Sequence, residues 1–254
     1  MISYFQKGFN YGQDGPGNRL VIHLQGCNMH CPWCANPEGL KPYRKEHPIK
    51  HPPPGNHTAS NLKIVSEIIE CRSLFFDGGG VTFTGGEATL QFEALKDILV
   101  LLKKEGIHTA LETNGTHLKL EMLFPLLDVL MIDCKQVDSK IHKNITGISN
   151  INILKNIRKA ARLHPHLLVR VPLINGFNIL DRDLKNFLDF VGELKQLQPD
   201  HSINFEFLPY HEYGKIKWEA QGRDYLVENG FVPEETLRKF QEAFRENAIS
   251  LIET

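Results

Sequence analysis

The sequence predicts an α/β protein, a partial barrel of six β/α units, and three observations carry that prediction. Short β-branched and apolar runs recur six times along the 254 residues, they alternate with stretches of helical apolar spacing, and each is followed by glycine or by polar residues. Strands alternating with helices of this length form parallel sheets through right-handed crossovers. Six units rather than eight leave the barrel incomplete. In a β/α barrel the loops after the strands share the face where active sites lie, so the polar residues behind each run are expected to converge.

Residues 1–18 are polar and glycine-rich, and Asp14-Gly15-Pro16-Gly17 joins a fixed proline φ to permissive glycines, which favours a shaped turn leading into the first strand. That strand is Arg19 to Leu24, and Gly26 ends it. The stretch 36–60 is rich in proline and histidine without a hydrophobic period, so it reads as an irregular connection in which His47, His51 and His57 are surface residues. Leu62, Ile64, Val65, Ile68 and Ile69 mark an amphipathic helix over Asn61 to Cys71, capped by Ser60 or Asn61.

The second strand, Val81 to Thr84, runs into Gly85-Gly86-Glu87 and a helix from Leu90 to Lys104. The third, Ile107 to Leu111, ends at Glu112-Thr113-Asn114-Gly115 and is followed by helical residues to about Leu126. The fourth, Val129 to Ile132, ends at Asp133-Cys134-Lys135; alternation puts Val129, Met131, Asp133 and Lys135 on one face and Cys134 on the other. The fifth and sixth, Leu167 to Val171 and Ile203 to Leu208, flank a helix from Asp183 to Gln196, with Arg170 and Asn175 around the end of the fifth and His211 after the sixth.

With 41% hydrophobic and 23% charged residues the chain can bury one large core, so a single domain over residues 1–254, closed by a C-terminal helix, is expected. A formal net charge of -1 gives no basic field for nucleic acid. No run approaches the roughly 18 apolar residues of a spanning helix, and the first residues lack a signal-peptide layout, so a cytoplasmic protein without membrane contact is expected. Three of the five cysteines crowd into one short segment, which suits metal ligation in a reducing compartment better than a disulfide framework.

That segment is Cys27-Asn-Met-His-Cys31-Pro-Trp-Cys34. Three thiolates at this spacing can hold three corners of an iron–sulfur cube, whereas ferredoxin-type clusters use four cysteines. Cys71 and Cys134 are distant, which leaves one iron open to a substrate. Read as zinc, the triplet would need His23 or His30 as its fourth ligand, but zinc patterns usually come as paired ligands. Next to an open iron, Gly85-Gly86-Glu87 could bind a small amino acid-like ligand: glycines permit close backbone approach and a carboxylate accepts from an ammonium. On its own the same tripeptide is an ordinary strand-to-helix turn with a capping acid.

DGPGNR, GCNMHCPWCANPE, GGGVTFTGGEATLQ, KKEGIHTALETNG, MIDCKQ, HKNITGISN and LPYHEYGKIKW occur in this order along nearly the whole chain. In these motifs the sequence resembles the radical S-adenosylmethionine (radical SAM) enzymes, and within them the activating enzymes of glycyl radical enzymes, in the branch serving pyruvate formate-lyase and its relatives. The resemblance implies the radical SAM fold, one [4Fe–4S] cluster on Cys27, Cys31 and Cys34, and S-adenosylmethionine as cofactor. It also implies cofactor contacts at Gly85, Gly86, Glu87, Glu112, Lys135 and His211, Trp33 and Asn36 near the adenine, and Arg170 near the nucleoside. A monovalent or divalent cation would be held by Glu112, Asp133 and the backbone of Thr113 and Met131, and Asp14 would meet the partner's peptide. Flavodoxin or ferredoxin would donate the electron, reductive cleavage at the sulfonium would yield a 5′-deoxyadenosyl radical, and this would take a hydrogen from a glycine of the partner; no side chain is needed as a general base.

Three departures from the family pattern stand out. Glu112 replaces an aspartate, Ala35 replaces a histidine, and residues 41–60 carry none of the cysteines of a ferredoxin insert. Two other readings use the same residues. A radical SAM enzyme acting on a small molecule or nucleoside would modify a metabolite without a partner protein, and an iron–sulfur or zinc binding module without catalysis would not cleave S-adenosylmethionine.

Overall fold

The structure is a computed structural model that describes residues 1–40, 56–197, 203–247 and 249–252. It divides into two compact units, one of Met1–Asn28, Asn36–Thr113 and Met122–Leu130, the other of Met29–Ala35, Asn114–Glu121 and Met131–Thr254.

The first unit opens with a strand that the sequence reading missed, β1 (Ile2–Tyr11), which forms an antiparallel hairpin with β2 (Asn18–Leu24). Only the start of β1 is apolar and covered; Gln6 to Gly8 point to solvent, which is why the segment reads as a loop. The Asp14–Gly17 turn closes this hairpin. Arg19 clamps it from below: its fully buried guanidinium donates to the Pro16 carbonyl at 2.8 Å, to Thr82 Oγ1 at 2.8 Å and to the Val81 carbonyl at 3.0 Å. Burial brings Arg19 down to about 10, so it stays charged at neutral pH.

The segment read as irregular also yields structure, because β3 (His57–Ala59) adds to the other edge of β1 and His57 stacks on Tyr4. His47, His51 and residues 41–55 generally lie outside the described residues. Helix α1 (Asn61–Glu70) is capped by Ser60, whose Oγ accepts from the Lys63 amide, and it buries Ile64, Val65 and Ile68. Next come β4 (Gly80–Gly85), parallel to β2, then α2 (Phe92–Lys104) and β5 (Thr109–Thr113), parallel to β4. The expected helix up to Leu126 is only a 3-10 stretch, Leu120–Leu126, with Pro125 inside it; proline removes an amide donor and crowds the preceding turn.

Strand β6 (Val129–Asp133) begins in the first unit and ends in the second. In the second unit α3 (Ser139–Thr146) and α4 (Ile151–Leu163) follow, both absent from the sequence reading. Asp138 caps α3 through the Lys140 and Ile141 amides, at 2.8 and 3.0 Å. Strand β7 (Leu167–Leu173), α5 (Asp181–Leu197) and β8 (Asn204–Pro209) complete the repeating units, with β7 parallel to β8. A short helix α6 (Lys215–Ala220), the C-terminal helix α7 (Glu234–Glu246) and β9 (Ser250–Ile252) finish the chain. Phe240 and Phe244 of α7 are buried and meet Phe207 edge-on.

All six predicted strands are present within two residues of their expected ends, as β2, β4, β5, β6, β7 and β8. The described residues hold three more, β1, β3 and β9. Because β5 runs later than expected, Glu112 and Thr113 are its last two residues rather than loop residues.

Candidate active site

In the first unit the chain beyond β2 and the chain beyond β4 lie backbone against backbone. The Gly86 amide donates to the Leu24 carbonyl at 2.9 Å, the Glu87 amide to the Gly26 carbonyl at 2.6 Å, and the Gly26 amide to the Gly39 carbonyl at 2.9 Å. Gly85 has a φ of 116°, and a Cβ there would lie 2.4 Å from the Leu24 nitrogen. Only glycine admits this approach. The Gly85-Gly86-Glu87 turn is thereby fastened to the root of the cysteine loop, just before Cys27. Gln91 adds to this by donating to the Gln25 carbonyl at 3.0 Å and to the Ser3 carbonyl at 2.7 Å.

Glu87 is buried, and its Oε1 accepts from the Thr89 amide at 2.9 Å, from the Thr89 hydroxyl, and from Thr113 Oγ1 at 2.7 Å. It therefore caps the 3-10 turn Ala88–Gln91, the ordinary reading of the tripeptide, and is tied to the end of β5 as well. Glu112 is half-buried and accepts from Thr84 Oγ1 at 2.7 Å. The Asp14 carboxylate takes Asn10 Nδ2, and its carbonyl accepts from Thr82 Oγ1 at 2.7 Å, so this side chain stabilises its own hairpin. Asn36 is half-buried, and its carbonyl accepts from the Gly39 amide at 3.0 Å.

In the second unit Cys31 is buried and Cys34 half-buried, with the Cys34 amide donating to the Cys31 carbonyl at 3.2 Å. Trp33, between them, packs on Phe177 with ring centroids 4.7 Å apart. Asp133 and Lys135 form an ion pair of 2.5 Å with side chains only 19% and 12% exposed, so this is not the solvated pair expected at an ordinary strand end. The Lys135 backbone is fixed in turn, since Asn178 Nδ2 donates to the Lys135 and Pro172 carbonyls at 2.7 Å each. Met131 is fully buried. Cys134 is buried, and burial pushes its thiol up to about 12, so it stays protonated.

Arg170 is committed through Nε to Glu206 at 2.7 Å in a pair that is almost completely buried. The exposed His211 stacks on Tyr213. Asn175 is joined to the C-terminal segment, its amide donating to the Gly230 carbonyl at 3.0 Å. Glu206, Asn178 and Gln91 went unnoticed in the sequence. For Glu206 there is a signal, an acid flanked by Phe205 and Phe207 in a strand that is apolar beyond Asn204.

These residues fit an iron–sulfur cluster better than a single metal ion. Among the described residues no three His, Cys, Asp or Glu side chains converge as one ion requires, whereas a cube distributes its thiolates over different irons. Burial pushes the Cys31 thiol up to about 12. A sulfur in such surroundings becomes a thiolate through a metal rather than through water, and soft thiolates suit iron–sulfur clusters. None of the five cysteines is in a disulfide.

The radical SAM superfamily description matches residues 21–191. The pyruvate formate-lyase-activating enzyme of Streptococcus mutans is 34% identical over 223 residues, covering 85% of this chain and 80% of the relative. The pyruvate formate-lyase 1-activating enzyme of Escherichia coli is 32% identical over 85% of this chain and 83% of its own. The 4-hydroxyphenylacetate decarboxylase activating enzyme of Clostridioides difficile is 29% identical, covering 93% and 91%. Among solved structures, a domain of a pyruvate-formate lyase-activating enzyme from Bacteroides vulgatus superposes with a TM-score of 0.56 at 28% identity, covering 68% of this chain and 98% of that one. A radical SAM methyltransferase from Sphaerobacter thermophilus, at 14% identity and a TM-score of 0.60 over 96% of this chain and 67% of its own, shows the shared fold. Membership of this superfamily implies a [4Fe–4S] cluster and S-adenosylmethionine as cofactors. The three-cysteine loop, the glycine turn fastened to its root and the similarity along most of the chain lead to one conclusion: the chain belongs to the radical SAM superfamily, in the branch of the enzymes that activate glycyl radical enzymes.

Proposed function

We propose that this chain activates pyruvate formate-lyase or a related glycyl radical enzyme from a single cluster held by Cys27, Cys31 and Cys34. The observation that carries this reading is the Gly85-Gly86-Glu87 turn hydrogen-bonded to the Leu24 and Gly26 carbonyls, immediately before Cys27 in the chain. Bound together, the cluster and S-adenosylmethionine supply a carbon radical able to take a hydrogen atom from glycine; the protein contributes binding and orientation.

In this reading Gly85, Gly86 and Glu87 receive the amino end of the cofactor, with Glu87 held rigid by Thr89 and Thr113. Lys135 and His211 contact its methionine portion. Trp33 and Asn36 line the adenine, and Arg170 lies by the nucleoside with Glu206 fixing its orientation. Glu112, Asp133 and the Thr113 and Met131 backbones hold a cation next to the cofactor carboxylate. Asp14 orders the hairpin turn that meets the partner's glycine-bearing loop. The electron comes from flavodoxin or ferredoxin in the cytoplasm, and neither nucleic acid nor a membrane takes part; no helix among the described residues is long and apolar enough to cross one.

The test is to mix the anaerobically reconstituted protein and S-adenosylmethionine with each glycyl radical enzyme of the same genome and record electron paramagnetic resonance spectra. A glycyl radical signal on one of them is expected. Modification of a metabolite with no radical on any partner would favour the small-molecule reading instead. Asp133→Ala is expected to weaken cofactor binding and to remove any response of activity to added cations, because a carboxylate held near another carboxylate needs the bridging charge. Unchanged affinity and unchanged cation response would sink the cation site.

A further inference from the structure

Three groups of the C-terminal segment, far from the cysteines in sequence, converge on the two peptides that follow the third cysteine. Trp218 Nε1 donates to the Cys34 carbonyl at 2.8 Å, and Lys217 Nζ donates to the Ala35 carbonyl at 3.0 Å. Gly214 lies so close that a Cβ there would sit 2.3 Å from the Cys34 oxygen. The approach therefore depends on the absence of a side chain. Behind these contacts Trp218 meets Tyr225 edge-on, and Tyr225 shares a hydroxyl hydrogen bond of 2.9 Å with the buried Tyr210. Tyr210 packs with Ile174 and Phe177, against which Trp33 of the cysteine loop also rests.

The cysteine loop needs such support. Cys31 to Ala35 lie outside any helix or strand, so no helix or sheet ladder supplies donors to the Cys34 and Ala35 carbonyls. An amide carbonyl left without a donor in a partly covered loop costs free energy, and an irregular loop held by few contacts opens readily. Lys217 and Trp218 supply two donors on consecutive carbonyls, one of them charged.

We propose that Lys217 and Trp218 are positioning residues that clasp the cysteine loop behind Cys34, setting how firmly the cluster is retained and, through the Lys217 ammonium, how readily it accepts an electron. The inference rests on the cluster assignment given above and extends it to residues that no cysteine motif contains. A hydrogen bond to a charged donor contributes more than a neutral one, and nearby positive charge favours the reduced form of an iron–sulfur centre. Loss of Lys217 should therefore affect retention and potential together, whereas loss of the neutral indole donor should affect retention alone.

The variants to compare are Lys217→Gln, Lys217→Arg, Trp218→Phe and the Lys217→Gln/Trp218→Phe pair. In the reconstituted protein, iron release to a ferrous chelator is expected to be about tenfold faster in the pair and several-fold faster in Lys217→Gln and in Trp218→Phe. Lys217→Arg, which keeps charge and donor, is expected to stay within twofold of wild type. Redox titration should give a more negative potential for Lys217→Gln and an unchanged one for Trp218→Phe. In the apoprotein, tryptic cleavage after Lys215 and Arg223 should accelerate in the pair, which reads the clasp without any cluster. Release and cleavage within twofold of wild type in the pair, or in both single variants if the pair does not fold, overturn the proposal. A wild-type chain that takes up no cluster would overturn the cluster assignment instead, while apoprotein cleavage would still report on the clasp.

Discussion

Replacing Cys31 with serine is expected to bring iron and sulfide after anaerobic reconstitution down to background, and cofactor cleavage and partner activation with them. A serine hydroxyl at this position stays protonated and is a hard oxygen donor, whereas the iron of a cluster selects thiolate. The site adds its own penalty. Cys31 is buried, so water cannot replace the missing ligand, and two remaining thiols at the rim of a loop cannot hold a cube with two open irons. Cys27→Ser and Cys34→Ser are expected to behave in the same way. Cys71→Ser and Cys134→Ser should keep the full cluster, because neither belongs to the Cys27-Cys31-Cys34 triplet and Cys134 is a buried thiol that stays protonated. Iron and sulfide analysis checks all five variants. Wild-type loading in Cys31→Ser, or two clusters per wild-type chain, would contradict the assignment.

The repeating strands were legible because burial on both faces selects unbroken β-branched and apolar runs. RLVIHL and LLVRVPL could hardly be anything else. Strand β1 was not legible, because β3 pairs only with its first residues, and the half beyond them lies in solvent and carries Gln6, Lys7 and Gly8 where a core strand would carry valine. Helices α3 and α4 are not among the expected elements, although α3 begins after a capping aspartate at Asp138 and ends at Gly147, whose φ is 84°. In the site, chemistry that depends on residue type and spacing was readable: the cysteines, the glycine turn and the carboxylates. What could not be read was commitment between distant side chains. Nothing in a string of letters says that Thr113 closes on Glu87, that Asn178 holds the Lys135 backbone, or that Trp218 reaches back to Cys34. Such contacts bridge tens to nearly two hundred residues of sequence, and only the fold creates them.

Glu206→Ala is expected to lower the stability of the apoprotein by about 3–5 kcal/mol, the usual consequence of stranding one member of a buried ion pair. Arg170 and Glu206 have side chains only 6% and 1% exposed and meet at 2.7 Å, so with the acid removed the guanidinium keeps its charge and has little water to turn to. For a chain of this size the shift should be on the order of 10 °C in thermal unfolding. A well-packed apolar replacement of both partners, Arg170→Met with Glu206→Leu, should recover most of that loss, since the desolvation penalty disappears together with the attraction. This pair of experiments also separates two roles of Arg170. If the arginine serves only to balance Glu206, the double variant should be stable and bind S-adenosylmethionine as wild type does. If Arg170 also contacts the nucleoside, as proposed, the double variant should be stable and yet bind the cofactor more weakly by a clear margin in calorimetric titration. Wild-type affinity in a stable double variant would remove Arg170 from the cofactor site. A Glu206→Ala protein that unfolds within a degree or two of wild type would mean that Arg170 finds compensation elsewhere, and that β7 and β8 do not depend on the pair that joins them.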